Sequence, residues 1–261
     1  MNDWDDLMDF AARTVAGAGE ITLGHFGSVA VEYKGDGSEV TEADRAAEAY
    51  VRAAIAEAFP EDGILGEEAD ERPSESGRRW IVDPIDGTRS FSCGVPLYSV
   101  LLALEVDGVV SLGCVHLPVL GHTLVAARGA GAWIDGRAAR VSECEEISEA
   151  RLLTSGLEYW RDMTDDAGRA GFQRLVDATR FGRTWGDGYG YFLVATGRVE
   201  LLADPTGGKL WDYAPMTVII PEAGGRLTQF DGSPMLPNRS ALASNGELHR
   251  AARRILQGES S

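Results

Sequence analysis

Three short acidic motifs in this chain carry residue types suited to holding divalent cations. Asp83-Pro84-Ile85-Asp86-Gly87-Thr88 follows the apolar run Trp80-Ile81-Val82. Gly66-Glu67-Glu68 closes another short apolar run, and Trp211-Asp212 opens an apolar stretch far downstream. Pro84 lacks an N–H and has a fixed φ, while Gly87 tolerates positive φ, so the chain must turn tightly there. Such a turn can aim Asp83 and Asp86 at one point and leave the Ile85 carbonyl exposed as a further oxygen. Hard cations such as magnesium take all-oxygen sets of this kind, with water completing an octahedron. Gly87 and Thr88 add backbone N–H groups and a hydroxyl that suit phosphate oxygens or a water. Other Asp-Gly pairs, at 107–108, 135–136 and 231–232, read as plain turns.

The elements that must position these acids can be read from periodicity. Leu7, Phe10, Ala11, Val15, Ala18 and Ile21 recur at helical spacing. A second helix is expected from Thr41, with Asp44 completing a capping box and an apolar side running from Ala47 to Phe59. The polar stretch Lys34 to Ser38 joins the two. Strand-like runs follow at 63–66, 80–82, 98–106, 109–116, 122–127 and 132–136, the third and fourth as a hairpin about Asp107-Gly108. Beyond Arg151 the pattern mixes. Strands are expected at 151–154, 199–203 and 226–230, and helices at 165–178, 186–195 and 211–223. In the last helix Pro215 falls in the first turn, and Pro221 should bend or end it near Ile220. Helices, then sheet, then mixed elements imply an α+β fold in two joined halves, residues 1–145 and 146–261.

Bulk properties narrow the function. Lys and Arg number 24 against 41 Asp and Glu, a net charge of −17. A field of that sign repels nucleic acid and anionic membranes. It also obliges any site for a phosphate ester to recruit cations, since a bound ion inverts the local electrostatics. The three cysteines, Cys93, Cys114 and Cys144, fit neither a zinc site nor a disulfide framework. With no basic-then-apolar start and no apolar run of membrane-spanning length, the expectation is a cytoplasmic protein. The four histidines are dispersed, no serine sits in a G-x-S-x-G context, and the glycines at 186–190 match no nucleotide-binding loop.

Taken together, Gly66-Glu67-Glu68, Asp83 to Thr88, and Trp211-Asp212 through Glu222-Ala223-Gly224-Gly225 resemble the inositol monophosphatase family, in its order and over nearly the whole chain. Val40 to Asp44 resembles that family's N-terminal metal-site segment, with Lys34, Asp44 and Glu68 as supporting residues. The resemblance implies the layered αβαβα sandwich of the inositol monophosphatase and sugar phosphatase type. It implies two or three Mg2+ ions per site: one held by Glu67, Asp83 and the Ile85 carbonyl, a second by Asp83, Asp86 and Asp212, and a weaker third near Glu67. It further implies that Glu67 and Thr88 orient and activate the attacking water, and that Ile85, Asp86, Gly87, Thr88 and Asp212 flank the bound ester.

Substrate choice is expected in the second half. Trp185-Gly186-Asp187 departs from the small residues of true inositol phosphatases and resembles the histidinol-phosphate phosphatase branch. A carboxylate at Asp187 can pair with a substrate ammonium, which inositol lacks. Asp204 stands where the family places an acidic substrate contact. The expected activity is therefore hydrolysis of L-histidinol phosphate to L-histidinol and phosphate, a step of histidine biosynthesis. Inositol-1-phosphatase or broad sugar-phosphate phosphatase activity is the alternative, and a regulatory binding protein on the same scaffold is the rival of another class. A small phosphorylated metabolite is the expected partner, with no nucleic acid, no membrane, and a homodimer as the family's usual assembly.

Overall fold

A computed structural model describes residues 3–27, 32–33, 35 and 39–259. In chain order its elements are α1 (Asp3–His25), β1 (Glu32–Tyr33), β2 (Glu39–Val40), α2 (Glu42–Ala58), β3 (Gly63–Gly66), β4 (Arg78–Asp86), α3 (Thr88–Ser92), β5 (Ser99–Val106), β6 (Val109–Leu117), β7 (His122–Ala127), β8 (Gly131–Ile134) and β9 (Arg137–Ala138). Then come β10 (Arg151–Leu153), α4 (Leu157–Asp162), α5 (Asp166–Ala178), β11 (Phe181–Arg183), α6 (Asp187–Ala195), β12 (Leu201–Asp204), α7 (Leu210–Tyr213), α8 (Met216–Glu222), β13 (Arg226–Thr228), β14 (Ala241–Ser244) and α9 (His249–Gln257).

β3 to β9 form a seven-stranded sheet in sequence order, antiparallel apart from the β3–β4 pair. Hairpins in sequence order demand tight turns, and Asp-Gly pairs supply those between β5 and β6 and between β8 and β9. Asp107 and Gly108 have φ of 49° and 79°, and Asp135 and Gly136 have φ of 48° and 75°. Two successive positive φ values match the right-handed twist of the flanking strands. The second sheet has five strands in the order β11-β10-β12-β14-β13.

Helices separate and cover these sheets. The apolar stripe of α1, with Ala11, Val15 and Ala18 fully buried, packs with α2 on one face of the larger sheet. α6 and α8 fill the space between the sheets, where Phe192, Val194, Val218 and Ile219 meet Leu101, Val115, Leu153 and Leu202. α5 and α9 close the far side of the smaller sheet. The result is the α+β sandwich expected, in five layers of αβαβα type.

Local chemistry explains the boundaries. Thr41 caps α2, its hydroxyl accepting the Ala43 N–H, while Asp44 Oδ2 accepts the Thr41 N–H at 2.8 Å, the capping box read from the sequence. The single helix expected at 211–223 is instead two, α7 and α8. Pro215 has no N–H to continue the ladder, so the chain breaks at Ala214-Pro215 instead of carrying the proline inside a first turn. Gly113 of β6 is what lets this break approach the sheet, since a methyl there would collide with the Pro215 carbonyl. Pro221 is tolerated inside α8, which ends one residue later. β14 and α9 were not anticipated, nor was α4.

Candidate active site

The acids meet where β4 leaves the large sheet. Residues three apart on a regular strand point to opposite faces. Here the β4–β5 register shifts between Asp83 (opposite Leu101) and Asp86 (opposite Ser99). That bulge contributes one extra residue and turns both carboxylates to the same side. Gly87 then adopts φ 86°, ψ 41°, a left-handed conformation that starts α3 and that a side chain would strain. Beneath the turn Ile85 is fully buried against Ala43, Phe91 and Tyr98, which fixes its backbone.

Asp212 arrives from α7. Asp83, Asp86 and Asp212 each present a carboxylate oxygen within 4.8 Å of the others. These three line a cleft of about 350 Å³ together with Glu67, Ile85, Gly87 and Thr88. The Ile85 N–H donates to Asp83 Oδ1 at 3.1 Å, and the Thr88 hydroxyl donates to the Ile85 carbonyl at 3.0 Å. Asp86 Oδ2 accepts the Ser99 hydroxyl at 2.8 Å and the Gly188 N–H at 2.5 Å. Asp212 Oδ2 accepts the Lys209 N–H at 2.6 Å.

Like charges this close and this buried cannot all ionise unaided. Burial, followed by Glu67, Asp86 and Asp212, pushes the Asp83 carboxyl well above the usual carboxylate range. Asp86 is pushed the same way by burial and by Asp187 and Asp212. Asp212 rises to about 6, mainly through burial, against the lowering contribution of the Lys209 N–H. Among the described residues the acids that converge on this point offer only oxygen donors. Such a set fits hard dications, with Asp83, Asp86 and Asp212 as ligands and Glu67 and the Ile85 carbonyl beside them.

The other end of the cleft is built on the second sheet. Asp187 stands at the start of α6 with φ 53°, and Asp204 ends β12. Ser155 ties them together: its hydroxyl accepts the Asp187 N–H at 2.9 Å and donates to Asp204 Oδ2 at 2.7 Å. Asp204 Oδ1 also accepts the Thr154 hydroxyl at 2.6 Å and the Ser155 N–H at 2.8 Å. Gly186 makes this closeness possible, because a methyl there would run into Ser155. Burial, with Asp204 adding to it, lifts the Asp187 carboxyl to about 7. Among the described residues two cations, Arg89 and Lys209, share a cleft with seven carboxylates, Glu39 being the seventh.

Not every expected residue lines this cleft. Trp185 is 40% exposed and stands off it. Asp44 is spent on its cap, although it lies within electrostatic reach of Glu67. The Glu68 N–H donates to Glu48 at 2.8 Å. Lys34 lies outside the described residues. Sequence reasoning missed Glu48, whose buried carboxylate also accepts the Ala69 N–H at 3.1 Å and so grips the loop carrying Glu67. It missed Ser99 and Ser155 as holders of Asp86 and Asp187, and Arg89, Tyr159 and Tyr191 as cleft residues. Only a helical wheel placing Tyr191 one turn after Asp187 offered a hint.

The model of the family described as the inositol monophosphatase family matches residues 3–260. The chain is 42% identical over 247 residues to a histidinol-phosphatase of Chlorobaculum parvum, covering 91% of this chain and 94% of that one. It is 41% identical over 252 residues to the histidinol-phosphatase of Mycobacterium tuberculosis, covering 94% and 95%. The solved inositol monophosphatase of Anabaena (Nostoc) sp. PCC 7120 superposes with a TM-score of 0.86 at 28% identity, covering 99% of this chain and 98% of that one.

Proposed function

The chain belongs to the inositol monophosphatase family and is a phosphatase, and from that premise we propose a magnesium-dependent histidinol-phosphate phosphatase. The observation that carries the substrate is the Asp187–Asp204 pair. Two carboxylates at the organic end of a phosphatase cleft, Asp204 buried and Asp187 half-buried, are poorly matched to a neutral polyol. They are well matched to an ester whose organic part bears an ammonium and an imidazole. The names of the Chlorobaculum and Mycobacterium relatives point the same way.

Each residue has a task in this reading. Asp83, Asp86, Asp212, Glu67 and the Ile85 carbonyl hold two or three Mg2+ ions. When bound, these neutralise the phosphate and activate water. Gly87 and Thr88 orient the phosphoryl oxygens, and Glu67 with Thr88 directs the attacking water. Asp187 pairs with the substrate ammonium, and Asp204, held by Ser155, faces the remaining polar end. Trp185 and Gly186 shape the start of α6, and Asp44, Glu68 and Lys34 support the Glu67 end. A homodimer is part of the proposal, to be checked by light scattering.

Phosphate release with magnesium, measured on histidinol phosphate, inositol 1-phosphate, fructose 1,6-bisphosphate and adenosine 3′,5′-bisphosphate, tests the substrate. Histidinol phosphate should lead by about a hundredfold, roughly 2.7 kcal/mol of transition-state discrimination. Asp187→Ala should erase most of that lead. A lead by inositol 1-phosphate, or equal rates on all four, would sink the assignment.

A further inference from the structure

One side chain in the cleft has no task in that reading. Tyr191 lies on α6 one turn after Asp187, and only 5% of it is exposed. Its ring belongs to the core between the sheets, packed among Phe192, Val194 and their neighbours. Yet the residue lines the cleft, and its hydroxyl makes no hydrogen bond to any described residue. A hydroxyl that has no protein partner and opens from a buried ring onto a binding cleft is placed to meet something that enters it.

Where the hydroxyl sits says what it meets. Tyr191 stands one turn beyond the start of α6, where the Gly188 N–H bonds to Asp86 of the cation end and the Asp187 N–H bonds to Ser155, which holds Asp204 of the organic end. These three acids and Asp212 are within electrostatic reach of the phenol. Burial, reinforced by these charges, pushes the phenol well above its usual range, so it keeps its proton and acts as a donor. The surrounding carboxylates can only accept. The hydroxyl is thus a neutral donor at the junction of the two ends, which is where an ester's bridging oxygen must lie.

We propose that Tyr191 is a catalytic residue whose hydroxyl donates a hydrogen bond to the leaving-group oxygen of the ester. In the reaction the ester P–O bond breaks and a P–O bond to water forms. The leaving alkoxide takes up a proton derived from that water, giving R–OH and inorganic phosphate. Tyr191 stabilises the charge that gathers on the oxygen as the bond breaks, and its own proton stays in place. This rests on the phosphatase reading of the cleft but not on the identity of the substrate.

Tyr191→Phe tests it, because the ring and its packing are retained. The rates to compare are those on an alkyl ester (histidinol phosphate or inositol 1-phosphate, whichever the wild type cleaves faster) and on p-nitrophenyl phosphate. An alkoxide needs help in leaving, whereas nitrophenolate spreads its own charge. The variant should lose roughly 10- to 100-fold in kcat on the alkyl ester, the scale of one lost oxyanion donor. On p-nitrophenyl phosphate the loss should stay within about twofold, with an unlowered melting temperature because no intramolecular hydrogen bond is removed. Equal losses on both esters, or no loss on either, would overturn the proposal. A wild-type protein that cleaves no ester would instead overturn the phosphatase reading, and the role of Tyr191 with it.

Discussion

Asp86 Oδ2 accepts the backbone N–H of Gly188 at 2.5 Å, so a carboxylate of the acid cluster on the large sheet is bonded directly to the helix that carries Asp187. The two ends of the cleft are therefore one mechanical unit. Gly188 is what allows it, since a methyl there would collide with both Asp86 Oδ2 and Ser99 Oγ. Gly188→Ala should cost about tenfold or more in kcat/KM, as small displacements of reacting groups do. Gly24→Ala, with nothing within 4 Å of the added methyl, is the matched control. Equal activity in the two variants would refute the coupling.

The acid cluster sets a pH dependence in metal-free protein. Asp187 and Asp212 have native pKa values of about 7 and about 6, raised from 3.8. A raised carboxyl binds its proton more tightly in the folded state. Its contribution is complete below about pH 4 and is lost as pH climbs through about 6 and 7. At about 1.4 kcal/mol per pKa unit the two together amount to roughly 7 kcal/mol, an upper figure for a coupled pair. The melting temperature of metal-free protein should fall between about pH 5 and pH 7.5, and saturating magnesium should remove that slope. A flat or rising profile without metal would contradict the cluster's electrostatics.

Glu48 offers a test remote from the chemistry. Its carboxylate accepts the N–H groups of Glu68 and Ala69 and pairs with Arg52 at 2.7 Å. Glu48→Ala leaves two N–H groups without their acceptor, at a cost of roughly 3 kcal/mol. Calorimetry should show that loss together with weaker Mn2+ binding, because the Glu67 loop is released. Unchanged metal affinity would show that the loop is held by other means.

Ser155→Ala removes the hydroxyl that bridges Asp187 and Asp204. In the proposed reading, KM for an amine-bearing ester should rise about tenfold, the equivalent of one hydrogen bond to a charged group. Esters without an amine should be nearly unaffected. A uniform loss across esters would mean that Ser155 serves the scaffold alone.

Much of this was legible from residue types. The Asp83 to Thr88 motif, the Thr41 cap and the Asp-Gly turns each carry their geometry in a few adjacent residues, and each formed as read. What escaped depends on distant partners. Glu48 reads as one more polar residue on an amphipathic helix, until the loop it grips is folded against it. Tyr191 sits in an apolar run that periodicity assigns wholly to the core. β14 is Ala-Leu-Ala-Ser, with little intrinsic strand preference, and is a strand because β12 and β13 pair with it on either side. The division of 211–223 turned on one missing N–H, at a place where sequence tolerates proline in the first turn of a helix.

The acid triad takes two members from β4 and the third from α7, which follows three strands of the second sheet. A growing polypeptide leaves the ribosome with Asp83 and Asp86 already emerged while Asp212 is still to be made. The repulsion that Asp212 adds to Asp83 and Asp86 is thereby postponed until most of the layers around it have been synthesised. A chain interrupted before Leu210 would carry every strand of the large sheet but neither α8, which covers one face of it, nor a complete triad.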